Sequence, residues 1–291
     1  MTDAPRTVLD FLNRSRRFLE GKRIESARLE AEILLAHVLG CRRLDLYLAY
    51  DRALAAGEVD RYRDLVTARA QRVPTAYLTG RREFLGLEFT VTRDVLIPRP
   101  ETELLAEEAL EFLRGREAAR VVDVGTGSGC LAVTLAVRRP DLGVDAVDRS
   151  RAALAVARAN AERHGVLGRV RFVEGDLLEP FRGAPWDAVV SNPPYVAEAD
   201  AGSLPEEVRE HEPAAALFGG PDGLAVLRRL VDGSAAVLRR EGALIVEVGA
   251  GQGGSVSALL EEAGGYLDVR RRKDFAGIER IVTARKAGGG L

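Results

Sequence analysis

From about residue 119 to the end of the chain, short runs of consecutive apolar residues alternate with longer amphipathic stretches. No other feature restricts the possible folds as much. ARVVDVG is a continuous apolar run, the pattern of a strand covered on both faces. Residues 129–138 then read as a helix, VDAVD as a second strand, and 150–164 as a second helix. RVRFVEGD, WDAVVSNPP and ALIVEVG read as further strands, with helices over 222–239 and 254–263. Strand–helix alternation of this kind builds a parallel sheet covered by helices on both faces. The ending YLDVRRRKDFAGIERIVTARK has no room for a crossover helix between its two strand-like halves, so the last strand is expected to enter antiparallel. The expectation is an α/β fold with a seven-stranded, mostly parallel sheet and an antiparallel final strand, followed by an unstructured GGGL tail.

Upstream the texture is helical. Val8, Leu9, Phe11, Leu12 and Leu19 make one apolar stripe. Leu29, Ile33, Leu34, Val38 and Leu39 make another, which stops at Gly40. Val59, Tyr62, Leu65, Val66 and Arg69 suggest a later helix. Residues 76–98 change character, with Phe89, Val91 and Val95 as an inward set and Gly80 and Gly86 as turn points, a hairpin pattern. Pro98-Arg99-Pro100-Glu101 opens a new helix, where proline and acidic residues suit the first turn. The resulting division is a small helical domain over 1–73, a β-hairpin linker over 74–98 and a larger α/β domain over 99–286.

Composition excludes several classes. At 46% hydrophobic and 30% charged the chain is globular rather than disordered. A formal net charge of −2 gives no global case for a polyanionic partner, so stable nucleic-acid binding is not expected. Cys41 and Cys130 stand alone, without the spacing of a metal site or a disulfide framework. The first residues lack the apolar core of a signal peptide, and no run is long and apolar enough for a membrane helix, so the expectation is a cytoplasmic protein.

Chemistry concentrates at the carboxyl edge of the expected sheet. After VVDV come Gly125, Thr126, Gly127, Ser128 and Gly129, a loop in which glycine permits a sharp turn and close approach to a ligand. Asp148 ends the next strand, where a carboxylate can accept hydrogen bonds from both hydroxyls of a ribose. The spacing GxGxG and the preceding Asp123 fit S-adenosylmethionine better than a dinucleotide: there is no pyrophosphate to seat, and Asp123 can hold the amino-acid end, directly or through water. Asp176 and Leu177 end the third strand, where Asp176 either accepts an adenine amino group or caps the next turn, and Leu177 can cover the adenine ring.

Asn192-Pro193-Pro194-Tyr195 follows the fourth strand at the same edge. An amide nitrogen is a poor nucleophile because its lone pair is delocalised. Two acceptors that hold its N–H bonds can aim that lone pair at an electrophilic methyl. The Asn192 side-chain oxygen is one such acceptor and the Pro193 carbonyl, held by the rigidity of consecutive prolines, is the other. Tyr195 offers a flat face for a planar group.

DVGTGSG followed by NPPY resembles class I methyltransferases that act on planar nitrogens. Residues 25–285 as a whole resemble the peptide chain release factor glutamine methyltransferase (HemK/PrmC) family. RLEAEILLAHVLG is similar to that family's N-terminal helical domain. PTAYLTGRREFLGLEFTVTRDVLIPRPETE is similar to its linker and the start of its second domain, and HEPAAALFGGPDGL to the segment after its catalytic loop. The resemblance implies a Rossmann-like catalytic domain and transfer of a methyl group from S-adenosylmethionine, leaving S-adenosylhomocysteine. The acceptor it implies is N5 of the glutamine in the GGQ tripeptide of release factors, the protein partners. By the same resemblance Gly125 to Gly129, Asp148, Leu177 and Asn192 line the cofactor site. Asn192 to Tyr195 then hold the glutamine, with Asn192, Pro193 and Tyr195 as the catalytic set. Some family members carry an aromatic residue where this chain has Leu177.

His37, His164 and His211 are scattered and form no metal set, Arg270-Arg271-Arg272-Lys273 reads as a solvated surface run, and Glu247 reads as structural. The alternative function is methylation of a nucleic-acid amino group such as adenine N6, which uses the same tetrapeptide chemistry on a flipped base.

Overall fold

The computed structural model describes residues 7–181, 183 and 185–288, so all of the expected GGGL tail except Gly288 lies outside the described residues. The chain forms two compact units: residues 1–81 with 205–211, and 82–204 with 212–291.

The first unit is helical: α1 (Val8–Gly21), α2 (Ala27–Leu39), α3 (Asp45–Leu48), α4 (Ala56–Ala70) and α5 (Thr75–Thr79). A reciprocal cap starts α1, with Thr7 Oγ1 accepting from Asp10 N at 3.3 Å and Asp10 Oδ2 accepting from Thr7 N at 3.2 Å. Gly40 ends α2 at φ +63°, a conformation that costs a residue without Cβ little. The core gathers Leu12, Leu19, Leu34, Leu35, Leu46, Tyr62 and Val66. The apolar stripes shift from the sequence expectation. Leu9 and Leu29 are surface residues, while Ala31 and Leu35 take the inward positions of α2. The inward face of α2 runs through Ala27, Ala31, Leu34, Leu35 and Val38, which leaves Leu29 beside it rather than on it. Arg69 is buried because it is paired: Nε meets Glu30 at 3.2 Å and Nη2 meets Glu207 at 2.8 Å. Glu207 belongs to the returning segment of this unit.

The hairpin is shorter than the sequence suggests. Thr75–Thr79 forms the short helix α5, launched by Pro74 and stopped by Gly80 at φ +71°. Only then do β1 (Arg81–Phe84) and β2 (Leu87–Thr90) pair. Leu85 (φ +48°) and Gly86 (φ +76°) make the tight turn, matching the right-handed strand twist. Phe89, Val91 and Val95 are buried, as expected.

The second unit continues through α6 (Pro100–Phe112), β3 (Arg120–Val124), α7 (Cys130–Arg138), β4 (Gly143–Asp148), α8 (Arg151–Arg163), β5 (Val170–Glu174) and β6 (Trp186–Ser191). α9 (Glu206–His211) lies in the segment assigned to the first unit. α10 (Ala214–Leu217), α11 (Ala225–Val237), β7 (Leu238–Glu247), α12 (Gly253–Ala263), β8 (Tyr266–Lys273) and β9 (Glu279–Lys286) complete the chain. The sheet order is β5-β4-β3-β6-β7-β9-β8. β3 to β7 run parallel, and β9 inserts antiparallel between β7 and β8. Both faces are covered. Ala146, Val190 and Ile245 pack with α6, α7 and α8 on one side. Val122, Val189 and Leu244 pack with α11 and α12 on the other. The strand order reverses at β3, with β4 to one side and β6 to the other, so a crevice opens at the carboxyl ends of these strands.

Candidate active site

A single cleft at that carboxyl edge gathers most of the residues singled out in the sequence. It is lined by Gly125, Thr126, Gly127 and Ser128 of the glycine loop, by Asp148, Asp176 and Leu177, and by Asn192 and Pro194. Gly125, Gly127 and Gly129 all have positive φ, which the sharp βα turn requires. A Cβ at Gly129 would stand 3.0 Å from Ala157 Cβ, so glycine there allows α7 and α8 to approach. A Cβ at Gly125 would meet nothing within 4 Å, which leaves its face of the loop open.

Two aspartates organise this loop. Asp148 Oδ2 accepts from Gly127 N at 3.0 Å and Oδ1 from Ser150 N at 2.9 Å. Each carboxylate oxygen keeps a lone pair for a ligand hydroxyl. Asp123 is fully buried behind the loop and is not part of the lining. Its Oδ2 accepts from Thr126 Oγ1 at 2.6 Å and from Ala132 N at 3.2 Å, whereas Oδ1 has no partner. Burial pushes its carboxyl up to about 7, against hydrogen bonds that pull it down. An orphaned acceptor of this kind suits a ligand cation, reached directly or through water. Asp176 joins Arg229 at 2.6 Å in a half-exposed ion pair. Leu177 sits at φ +50°, a strained conformation for a branched side chain, at the cleft wall.

The Asn192–Tyr195 loop is fastened at several points. Ser191 Oγ donates to Val124 O at 2.7 Å, tying the ends of β6 and β3 together. Asn192 Nδ2 donates to Thr102 Oγ1 at 2.9 Å, and Thr102 Oγ1 donates to Glu247 Oε2 at 2.7 Å. The Tyr195 hydroxyl donates to Glu247 Oε1 at 3.2 Å. Gln252 Nε2 holds the Tyr195 carbonyl at 2.9 Å, and Val196 N donates to Leu217 O at 2.9 Å. The FGGPDG segment packs directly on this loop. A Cβ at Gly219 would come within 2.5 Å of Pro194 O, and one at Gly223 within 2.3 Å of Tyr195 O. Pro193 is buried and Tyr195 packs partly against the core; neither residue is among those lining the cleft, where the sequence had placed the Pro193 carbonyl and the Tyr195 ring. Burial raises the Glu247 carboxyl to about 7 and also raises the Tyr195 phenol.

Several residues here escaped the sequence reading: Thr102, Glu247, Gln252, Gly219, Gly223, and Arg99, which pairs with buried Glu212 at 2.5 Å on the cleft wall. Glu247 was visible only as the polar end of an apolar strand, and Thr102 only as a first-turn helix residue. His164 lies away from the cleft, its Nε2 at 2.9 Å from Glu88 O. Among the described residues no group of His, Cys, Asp and Glu is arranged to hold a metal ion. No described helix is long and apolar enough to cross a membrane.

Comparison with known proteins agrees with this geometry. Residues 10–80 match the model of the PrmC N-terminal domain, and residues 101–208 match the methyltransferase small domain. Among solved structures, the fold is similar to a methyltransferase from Pyrococcus furiosus (19% identity, 70% of this chain and 90% of that one, TM-score 0.50). It is also similar to the hMettl16 catalytic domain (16% identity, 78% and 83%, TM-score 0.58). At these identities the likeness is one of fold. The sequence relatives are nearer. A release factor glutamine methyltransferase from Geobacter sulfurreducens is 45% identical over 98% of this chain and 99% of its own length. Another from Rhodopirellula baltica is 41% identical over 98% of each. With near-complete coverage on both sides, the chain belongs to the release factor glutamine methyltransferase family.

Proposed function

We propose that this protein transfers the methyl group of S-adenosylmethionine to the side-chain amide nitrogen of the glutamine in the GGQ motif of peptide chain release factors. The observation that carries the reading is the shared cleft. It joins a glycine loop, the Asp148 carboxylate and the Asn192 carboxamide in one wall, in a chain of this family.

The residues fit the donor. Asp148 has acceptor capacity for a ribose diol, Asp123 Oδ1 is an unpartnered buried acceptor for an ammonium group, and the open face of Gly125 admits close approach. Thr126, Ser128 and Gly129 shape the loop, while Asp176 and Leu177 stand at the cleft wall assigned to the adenine. When bound, S-adenosylmethionine supplies an electrophilic methyl on a sulfonium. Asn192 Oδ1 and the Pro193 carbonyl hold the two N–H bonds of the glutamine amide, which leaves its lone pair free along the line of attack. Pro194 and Tyr195 keep that loop rigid. As the new N–C bond forms, the C–S bond breaks with its electron pair going to sulfur. The nitrogen, now acidic, loses a proton to water. Positioning accounts for most of the rate; near-attack alignment is worth roughly 7–11 kcal/mol.

We assign recognition of the release factor to the N-terminal helical domain, residues 1–73, ahead of the 74–98 linker and the 99–286 catalytic domain. The match of residues 10–80 to the PrmC N-terminal domain supports this, as do the exposed Leu44 and Leu48 on and beside α3. The deciding experiment offers radiolabelled S-adenosylmethionine with a purified release factor, with the same factor bearing Gln→Ala in GGQ, and with DNA. Label on the first alone is expected; label on DNA or on the mutated factor overturns the reading.

A further inference from the structure

The Asn192 carboxamide can serve the reaction only with its oxygen toward the substrate amide, because a flipped group would present donors to donors. Nothing within Asn192 itself decides between the two orientations, which are nearly isosteric. The decision comes from a chain of buried hydrogen bonds behind the cleft. Glu247 ends β7 with 1% exposure, and Thr102 in the first turn of α6 has 2%. The Thr102 hydroxyl has one proton, spent on Glu247 Oε2 at 2.7 Å. Toward Asn192 it therefore has only lone pairs to offer, and at 2.9 Å it takes an N–H from Nδ2. The planar carboxamide then turns Oδ1 the other way. Tyr195, in the same tetrapeptide, donates to the second oxygen of the same carboxylate at 3.2 Å. One carboxyl group thus ties down both ends of the loop.

We propose that Glu247 is a positioning residue for methyl transfer, acting through the Thr102 hydroxyl to lock the Asn192 carboxamide with its oxygen toward the substrate. The proposal deepens the function proposed above and rests on it. Glu247 does not touch substrate and takes no proton from it; it sets the direction of a hydrogen-bond chain that runs from β7 through α6 to the loop after β6. The three residues are far apart in sequence and meet only because β6 and β7 are neighbours and α6 packs over their ends.

The test has two parts. In wild-type protein labelled with 15N, the Asn192 side-chain proton facing Thr102 should exchange with solvent at least ~10-fold more slowly than in an exposed asparagine. This reading needs neither donor nor substrate. In steady-state assays with a release factor, Thr102→Val should lower kcat on the order of 10²-fold. Its affinity for S-adenosylhomocysteine by calorimetry should stay within about 2-fold, the split expected when only the transition state loses a contact. Thr102→Ser keeps the hydroxyl and should retain kcat within about 5-fold, and Glu247→Gln, whose Oε1 still accepts from Thr102, should do the same. Glu247→Leu should fall with Thr102→Val. Free exchange of the wild-type amide overturns the proposal, as does near-normal kcat in Thr102→Val or Glu247→Leu, or a serine variant as impaired as the valine one. A wild-type enzyme that labels no release factor defeats the proposed function instead, while leaving the amide measurement to stand or fall separately.

Discussion

At the scale of single residues, the site depends on acidic groups held in fixed orientations by hydrogen bonds. Asp148 has each oxygen on a backbone N–H, so it arrives at the cleft pre-aimed. Asp148→Ala is expected to weaken S-adenosylmethionine binding by roughly 2–4 kcal/mol, the value of two charge-assisted hydrogen bonds, as calorimetry would report. Asn192→Ala removes an acceptor used in the transition state and should lower kcat by ~10²–10³-fold with little change in cofactor affinity. Glu247 gives a prediction about pH. Burial raises its carboxyl from 4.5 to about 7, so the folded state holds its proton more tightly than the unfolded chain does. Its contribution to stability is complete below about pH 4.5 and is lost as pH rises through about 7. Glu247→Gln should therefore flatten the wild-type stability profile over that window, by about 3 kcal/mol end to end in denaturant titrations. An equal slope in both proteins would show that Glu247 is not the group responsible.

At the scale of elements, legibility followed sequence distance. The turn from β3 into α7 is local: an apolar strand, glycines at positive φ and a helix follow one another within a few residues, so periodicity and composition expose it. Asp148 was readable for the same reason, one βα unit later. Thr102 and Glu247 were not, because the contact that links them exists only where α6, β6 and β7 converge. The linker misled differently. Thr75–Thr79 carries β-favouring residues, yet a proline before it and a left-handed glycine after it close a single helical turn. The FGGPDG segment shows what local composition hides: two of its glycines are there for the loop they touch. Gly223→Ala would bring a Cβ into Tyr195 O, in a backbone already at φ +75°. It should displace the Asn192–Tyr195 loop and lower kcat by at least ~10²-fold, while the glycine loop and cofactor affinity stay intact.

At the scale of the whole molecule, the order of strands explains why so many candidate residues share one cleft: every parallel strand ends at the same edge, and the order reverses at β3. Alternation of strands and helices made that legible from sequence alone. The helical unit was legible as a domain over 1–73, but its returning segment was not, since residues 205–211 join it from beyond the Asn192–Tyr195 loop in sequence. That return has a practical consequence for anyone dissecting the protein. A fragment cut after residue 81 would leave Arg69 with the Glu30 carboxylate alone, without the second ion pair that Glu207 supplies. Such a fragment should melt earlier than one supplied with residues 205–211 as a peptide or a fused tail. The extent of each unit is thus set by no single cut point, because one stretch of chain leaves the larger unit, completes the smaller one and comes back.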